Sequence, residues 1–514
     1  MSKKLYIELI FLTILGIVTS LSLPPFNYLI INFLTLSSFF IFLIKKFDQQ
    51  KNKKFYFIYG WFFGFGYFVT NLYWISISLT FDQNFKALIP ITLVIIPSFL
   101  AIFYGLVSYL FMILKPKKIV SSFLLFSLIF GSLEFVRGSI LTGFPWNLIA
   151  FSFSNQLEVL SIISVIGTYG FNLFCISLFT SPAVFILRDR KRDIGVCIFF
   201  LISIVTLYIH GSSYEKKFKK FKENNFNFKV RVIGSNINLD RYYKDIDPSE
   251  VIQDLIKISN PIAEENIIFL WPEGILPGTS RDDLVEYDWL FNEKFTENHL
   301  LIIGITNQIE NDGSREYYNS LSIYDNKLNI LSTYDKVNLV PFGEFLPFEN
   351  ILRGIGLRSL TNNYQSFSSG SKRDIIEINQ KNFLIKILPL ICYEIIYSGK
   401  LFHNSDFDLI INISEDGWFG QSIGPKQHFA HSIFRAIESG KYVVRSSNNG
   451  LAAIINPLGY VEKSVNFGQS GYVDLESIKK IQPTLFSKYG NKIFGLLILL
   501  YIFLIFSFNR IKNE

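Results

Sequence analysis

Apolar runs dominate the N-terminal part of the chain, at 5–22, 27–44, 55–78, 88–114, 119–140, 158–187 and 194–211, and one more closes it at 493–509. Most approach the ~20 residues that a helix needs to cross a hydrocarbon core, so the pattern predicts about eight transmembrane helices. Between the seventh and eighth runs the apolar stretches shorten to strand length. Phe228–Ile233, Ile267–Trp271, Leu300–Thr306, Asn319–Tyr324, Phe383–Ile391, Phe407–Ile413, Tyr442–Ser446 and Leu451–Ile455 read as strands, and Pro248–Ser259 and Pro425–Ser439 as helices. This alternation predicts an α/β sandwich. Asn448-Asn449-Gly450 between two apolar runs predicts a hairpin turn, because Asn and Gly tolerate positive φ. The expected organisation is a membrane domain over 1–211, an inserted α/β domain over 212–492 that opens on a charged linker, Glu215 to Lys222, and a last helix with a tail over 493–514.

Charge then orients the helices. Lys3 and Lys4, the cluster Lys45 to Lys54, Lys115 to Lys118, Arg188 to Arg192, and Arg510 with Lys512 fall in every second loop, while the intervening loops around 79–87 and 141–157 carry only Lys86. Basic loops stay cytoplasmic, so both termini are expected inside and residues 212–492 outside. The net charge of +7 is therefore mostly topology and not a nucleic-acid footprint. Half of the residues are hydrophobic, 18% are charged and the mean hydropathy is +0.32, which excludes an ordinary soluble protein. The 54 phenylalanines owe part of their number to compositional bias, but bias does not produce charge-free runs of spanning length. No small-x-small cleavage site precedes Pro24-Pro25, so the first run is expected to be retained as a helix.

Three short motifs carry the candidate chemistry: Trp271-Pro-Glu-Gly274, Tyr334-Asp-Lys-Val-Asn-Leu-Val-Pro-Phe-Gly-Glu344 and Leu390-Ile-Cys-Tyr-Glu394. They place a carboxylate, an ammonium and a thiol at or just after apolar stretches, where strand ends deliver side chains into a cleft. Such a set suits acyl transfer through a thioester, with Glu273 as base, Cys392 as nucleophile, and Lys336 with the backbone N–H after Cys392 as oxyanion donors. Of three cysteines, Cys175 and Cys197 lie in apolar runs and Cys392 is alone in the outward segment. A lone thiol in an oxidising compartment calls for an explanation: catalysis supplies one, and a small core residue is the alternative that position alone leaves open.

These motifs resemble the nitrilase superfamily, with its Glu-Lys-Cys triad and αββα sandwich. The chain as a whole is similar to the apolipoprotein N-acyltransferase family, through Tyr318-Asn-Ser320, Leu339-Val-Pro-Phe-Gly-Glu-Phe-Leu-Pro347, Cys392-Tyr-Glu394, Asp416-Gly-Trp-Phe-Gly420, Ser422-Ile-Gly-Pro425, Arg445-Ser-Ser-Asn-Asn-Gly450 and, in the membrane half, Thr142-Gly-Phe-Pro-Trp146. The resemblance implies a bacterial inner-membrane enzyme without metal or cofactor, acting as a monomer. Cys392 would take an acyl chain from the sn-1 ester of a glycerophospholipid and pass it to the α-amine of a diacylglyceryl-cysteine apolipoprotein. It also implies that Glu344 orients Lys336, and that Tyr393, Glu394 and Trp418 support the pocket. The chain departs from the family at Asp335 and Asn338, where a basic residue and a histidine are common, and at Glu415 and Gly417, where Asn and Ala are common.

The run Phe345, Leu346, Phe348, Ile351, Leu352, Ile355 and Leu357 fits an apolar arm toward the membrane and equally a segment packed inside the domain, and Trp146 is expected at a second lipid-facing position. Glu134 and Arg137, at i,i+3 within the fifth span, read as a structural ion pair. His428 and His431 at the same spacing could serve as metal ligands, but Cys392 chemistry requires no metal and no carboxylate-rich partner motif accompanies them, so metal binding is not expected. Two rival functions stay open: a membrane-tethered amidase or phospholipase with water as acceptor, and a transporter carrying an inert exterior domain.

Overall fold

The computed structural model describes residues 3–47, 49, 52–311, 314–347, 366–401 and 405–510. The chain divides into two compact units, one formed by 1–219, 421–430 and 484–514 and the other by 220–420 and 431–483.

The first unit is helical: α1 (Lys3–Ser20), α2 (Ile30–Phe47), α3 (Lys54–Leu72), α4 (Ile89–Leu114), α5 (Ile119–Arg137), α6 (Ile163–Leu187) and α7 (Ile194–Lys219) lead, and a last helix, Lys492–Arg510, closes it. Among the described residues seven helical segments are long and apolar enough to cross a membrane. α1 forms where the first run predicts it but is not one of the seven, since Lys3, Lys4 and Glu8 fall within its 18 residues. Small residues let backbones touch: a Cβ on Gly16 would lie 2.0 Å from the Phe63 carbonyl oxygen, and one on Gly66 would lie 2.1 Å from that of Thr13, so α1 and α3 pack at glycine distance. Glu134 and Arg137 form a fully enclosed ion pair. Arg137 also donates to the Phe144 carbonyl, which ties the end of α5 to the following loop. α7 runs through Lys219 and absorbs most of the stretch expected to be a linker, because Glu215 and Lys219 pair at i,i+4 and no proline interrupts them.

The second unit is the α/β domain. Its strands are β1 (Asn224–Ser235), β2 (Ile267–Leu270), β3 (His299–Asn311), β4 (Ser314–Tyr324), β5 (Ile330–Asp335), β6 (Ile376–Gln380), β7 (Phe383–Ile391), β8 (Leu409–Glu415), β9 (Tyr442–Asn448), β10 (Ala452–Ile455), β11 (Val461–Val465) and β12 (Gly471–Ile478). Hydrogen bonding follows the order β5-β4-β3-β2-β1-β9-β8-β7-β6, with β12 on β1 and with β10 joining β9 to β11. β1 meets β9 at only two residue pairs, Gly234 with Ser447 and Ser235 with Asn448, whereas it pairs β2 along four. The ladder therefore folds at this seam into two half-sheets that face each other, and a Cβ on Gly304 of β3 would lie 2.9 Å from Ile413 of β8. Helix α8 (Pro248–Ser259) starts on the Asp247 cap, ends on left-handed Asn260 and buries Val251, Ile252, Leu255 and Ile256. Those side chains join Phe269, Trp271 and Leu301 in the core on that face. The short α9 (Asp288–Lys294) adds Leu290 and Phe291 to the same core. The turn at Asn448–Gly450 forms as expected, with Asn449 at φ 54° between antiparallel β9 and β10.

Candidate active site

Parallel strands expose their C-terminal ends together, and four of those ends or their extensions meet here. Glu273 follows β2 by two residues beyond Trp271, Lys336 comes directly after β5, Cys392 directly after β7, and Glu415 closes β8. Cys392 opens a 3₁₀ turn, Cys392–Ile396, and sits at φ 48°, a left-handed backbone in which a non-glycine residue is strained. Such strain is typical of a side chain held where reaction needs it.

Lys336 is enclosed and donates to Glu273 Oε1 at 3.0 Å and to Glu344 Oε1 at 2.9 Å. The same two oxygens accept the amide of Asn319, at 2.8 and 2.6 Å. The other oxygens are held by backbone: Glu415 N–H donates to Glu273 Oε2 at 2.9 Å, and Val340 N–H to Glu344 Oε2 at 2.8 Å. An ammonium has three donors, and two are spent on carboxylates. Burial alone would lower the Lys336 ammonium, but Glu273 and Glu344 carry it well above the usual lysine range, so it is a permanent cation. Burial pushes the Cys392 thiol well up, the Glu273 charge adds to that, and Lys336 opposes both. The sulfur is therefore a thiol at rest, beside a carboxylate able to take its proton.

Glu394 has no exposed surface and accepts five donors: Tyr334 hydroxyl, the Val337, Asn338 and Ile391 amides, and Arg373. It locks the loop that carries Lys336 to the strand end that carries Cys392. We expect Glu394→Gln to place an N–H₂ against one of these donors and to cost about 1–3 kcal/mol. Thermal unfolding of the detergent-solubilised protein reads that loss, and an unchanged midpoint would remove Glu394 from this role.

Trp418, half-buried, packs its ring on Tyr242 with centroids 5.0 Å apart, and Tyr242 hydroxyl donates to the Gly274 carbonyl at 2.6 Å beside Glu273. Tyr393 is buried and meets Tyr397 edge to face. Behind the site, Asp416 pairs with Arg445, and Glu415 with Arg241 and Asn448. Asn319, Arg373 and Arg241 carry no motif that assigns them a role. Arg241 lies 174 residues from its partner, and Asn319 stands out only as part of Tyr318-Asn-Ser320.

Two lipid-facing expectations are corrected. Trp146 is 2% exposed: its indole donates to Gln427 at 3.0 Å and stacks with Phe144 and His428, so the polar N–H is satisfied inside its own unit. Leu346 is buried and Phe345 half-buried, because Phe342 N–H bonds back to the Phe345 carbonyl and turns the segment inward. Phe342 takes the exposed tip instead, at φ 63°. Phe348, Ile351, Leu352, Ile355 and Leu357 lie outside the described residues. Among the described residues no group of three or more His, Cys, Asp or Glu side chains is placed to hold a metal ion.

Comparison with known proteins adds what geometry alone does not. Residues 15–179 match the model of the apolipoprotein N-acyltransferase N-terminal domain, and 229–477 that of the carbon-nitrogen hydrolases. The apolipoprotein N-acyltransferase of Rickettsia prowazekii (strain Madrid E) is 32% identical over 491 residues, covering 93% of this chain and 94% of its own. The chain belongs to the apolipoprotein N-acyltransferase family. The family member from Rhodopseudomonas palustris (strain ATCC BAA-98 / CGA009) is 31% identical over 464 residues, 87% of this chain and 84% of its own. That membership accounts for both halves of the chain together, an α/β nitrilase-like domain and a helical membrane region, and makes it a bacterial membrane protein.

Proposed function

We propose that the chain is a periplasm-facing apolipoprotein N-acyltransferase that works by two thioester half-reactions. In the first, Glu273 takes the Cys392 proton as sulfur attacks the sn-1 carbonyl of a glycerophospholipid. The third N–H of Lys336 and the N–H of Tyr393 hold the oxyanion, the ester C–O bond breaks, and the proton goes to the departing glycerol oxygen of the lysophospholipid. In the second, the α-amine of diacylglyceryl-cysteine attacks the thioester. Its proton returns through Glu273 to sulfur as the C–S bond breaks and the amide forms. Glu344 and Asn319 keep the ammonium aimed throughout.

The observation that carries this reading is the Glu273–Lys336–Glu344 cluster at strand ends beside a strained, protonated Cys392. The alternation of basic loops supports an outward catalytic unit with both termini cytoplasmic. Two bulky lipid substrates with charged heads require a site at a membrane surface, where acyl chains stay in hydrocarbon during transfer.

Intact mass of the purified protein after incubation with phospholipid, and again after a diacylated lipopeptide, tests the proposal. A gain of one acyl chain, discharged onto the peptide amine, is the expected result. Discharge to water alone would make the protein a hydrolase, and no adduct would overturn the thioester route.

A further inference from the structure

The helical unit holds an apolar cavity of its own, and its reading is independent of the acyl-transfer one. With the last helix, Lys492–Arg510, taken as α11 after α10 (Gly424–Ser439), a cavity of about 620 Å³ opens between α5, α6, α7 and α11. Its walls are apolar, with Phe123, Leu173, Phe199, Phe200, Leu500 and Leu504 prominent among them. Along α11 the lining runs from Leu497 to Phe508, a rise of about 16 Å. That matches about half of the ~30 Å hydrocarbon core, the depth of one leaflet.

The rim at one end is charged, with Lys118, Arg190 and Arg192 together with Asp189 and Asp193. The two acids are engaged by backbone: Asp189 accepts from Ile119 N–H at 2.9 Å, and Asp193 from the Asp189 and Arg190 amides at 3.0 Å each. The loops at this rim, 115–118 and 188–193, carry seven basic side chains against those two acids. α5 and α7 both begin here, so their positive dipole ends face the same rim. An apolar slot one leaflet deep under a cationic rim fits one class of occupant. We propose that this cavity binds an anionic glycerophospholipid from the leaflet on the basic-loop side, its phosphate at Lys118, Arg190 and Arg192 and an acyl chain along α11. Basic pockets between spanning helices recognise anionic head groups in this way. Its role is to seat α7 and α11 against α5, not to supply the acyl chain.

The test uses the full-length protein in vesicles that contain phosphatidylglycerol or phosphatidylethanolamine with a photoreactive acyl chain, and peptide mapping of the adducts. Labelling by phosphatidylglycerol is expected on 119–124, 195–200 and 497–508, well above that on exposed Ile95 and Phe99 of α4. Even labelling of every exposed apolar face would mean annular lipid only and overturn the proposal. Gly195 lines the slot, and a Cβ there would meet no other atom within 4 Å, so a side chain can start from this position in open space. Gly195→Trp should fill the slot and remove the adducts for both lipids while S-acylation of Cys392 persists. Replacing Lys118, Arg190 and Arg192 together by Gln should weaken phosphatidylglycerol labelling by roughly fivefold for each charge and phosphatidylethanolamine labelling, whose phosphate is offset by its own ammonium, by a clearly smaller factor. Retained adducts in Gly195→Trp, or equal loss for both lipids in the triple variant, would refute the site.

Discussion

Glu273→Gln is expected to lower the rate of S-acyl formation by about 10²–10⁴ at neutral pH, and Cys392→Ala to abolish it. Burial holds the Cys392 thiol well above its ordinary range, and Lys336 offsets only part of that. Thiolate is scarce unless a base accepts the proton as sulfur attacks, and Glu273 is the carboxylate whose charge the sulfur feels most. A glutamine keeps the hydrogen-bonded shape but cannot take a proton. The sign of the pH response follows. In Glu273→Gln the residual reaction depends on thiolate already present, so below the thiol pKa it should rise about tenfold per pH unit. The wild type should respond far less steeply over the same range. Rapid-quench mass analysis of the acyl-enzyme from pH 6 to 9 measures both. A variant profile parallel to wild type would show that Glu273 is not the base.

What the chain disclosed in advance follows from how much each element depends on its neighbours. Spans are self-contained, because hydrocarbon demands apolar side chains along the whole segment, and helices form at all eight runs. The inner strands were equally plain: β7 forms at the expected Phe383–Ile391, and β2 stops one residue short of its expected end. β6 and β11 lack a readable apolar run because most of their residues face solvent, β5 buries only one of its six residues, and β12 is largely half-exposed along its length. Glu273 and Cys392 were legible as candidates because each follows a readable strand, and Lys336 because it sits in the run Tyr334 to Glu344, although the strand before it was not read. Arg373 and Arg241 were not, since a surface arginine and one that neutralises a buried glutamate look alike until the partner strand is placed. Trp146 and Leu346 misled for the converse reason: an aromatic or aliphatic residue near a membrane segment fits a protein core as well as it fits lipid.

Lys336→Met should inactivate the protein and also destabilise it, and the two effects can be separated. In the wild type one ammonium bridges Glu273 and Glu344, whose Oε1 atoms otherwise share only the Asn319 amide. Removing the cation leaves two buried carboxylates facing each other, and breaking a buried pair in this way costs about 3–5 kcal/mol. Adding Glu344→Gln removes one of the two charges and should recover most of the lost unfolding temperature, while S-acylation stays absent because no ammonium faces the oxyanion. Unfolding midpoints of the two variants, with the acyl-enzyme assay, read both effects. A double variant that regains activity with its stability would mean that Lys336 serves the fold and not the reaction.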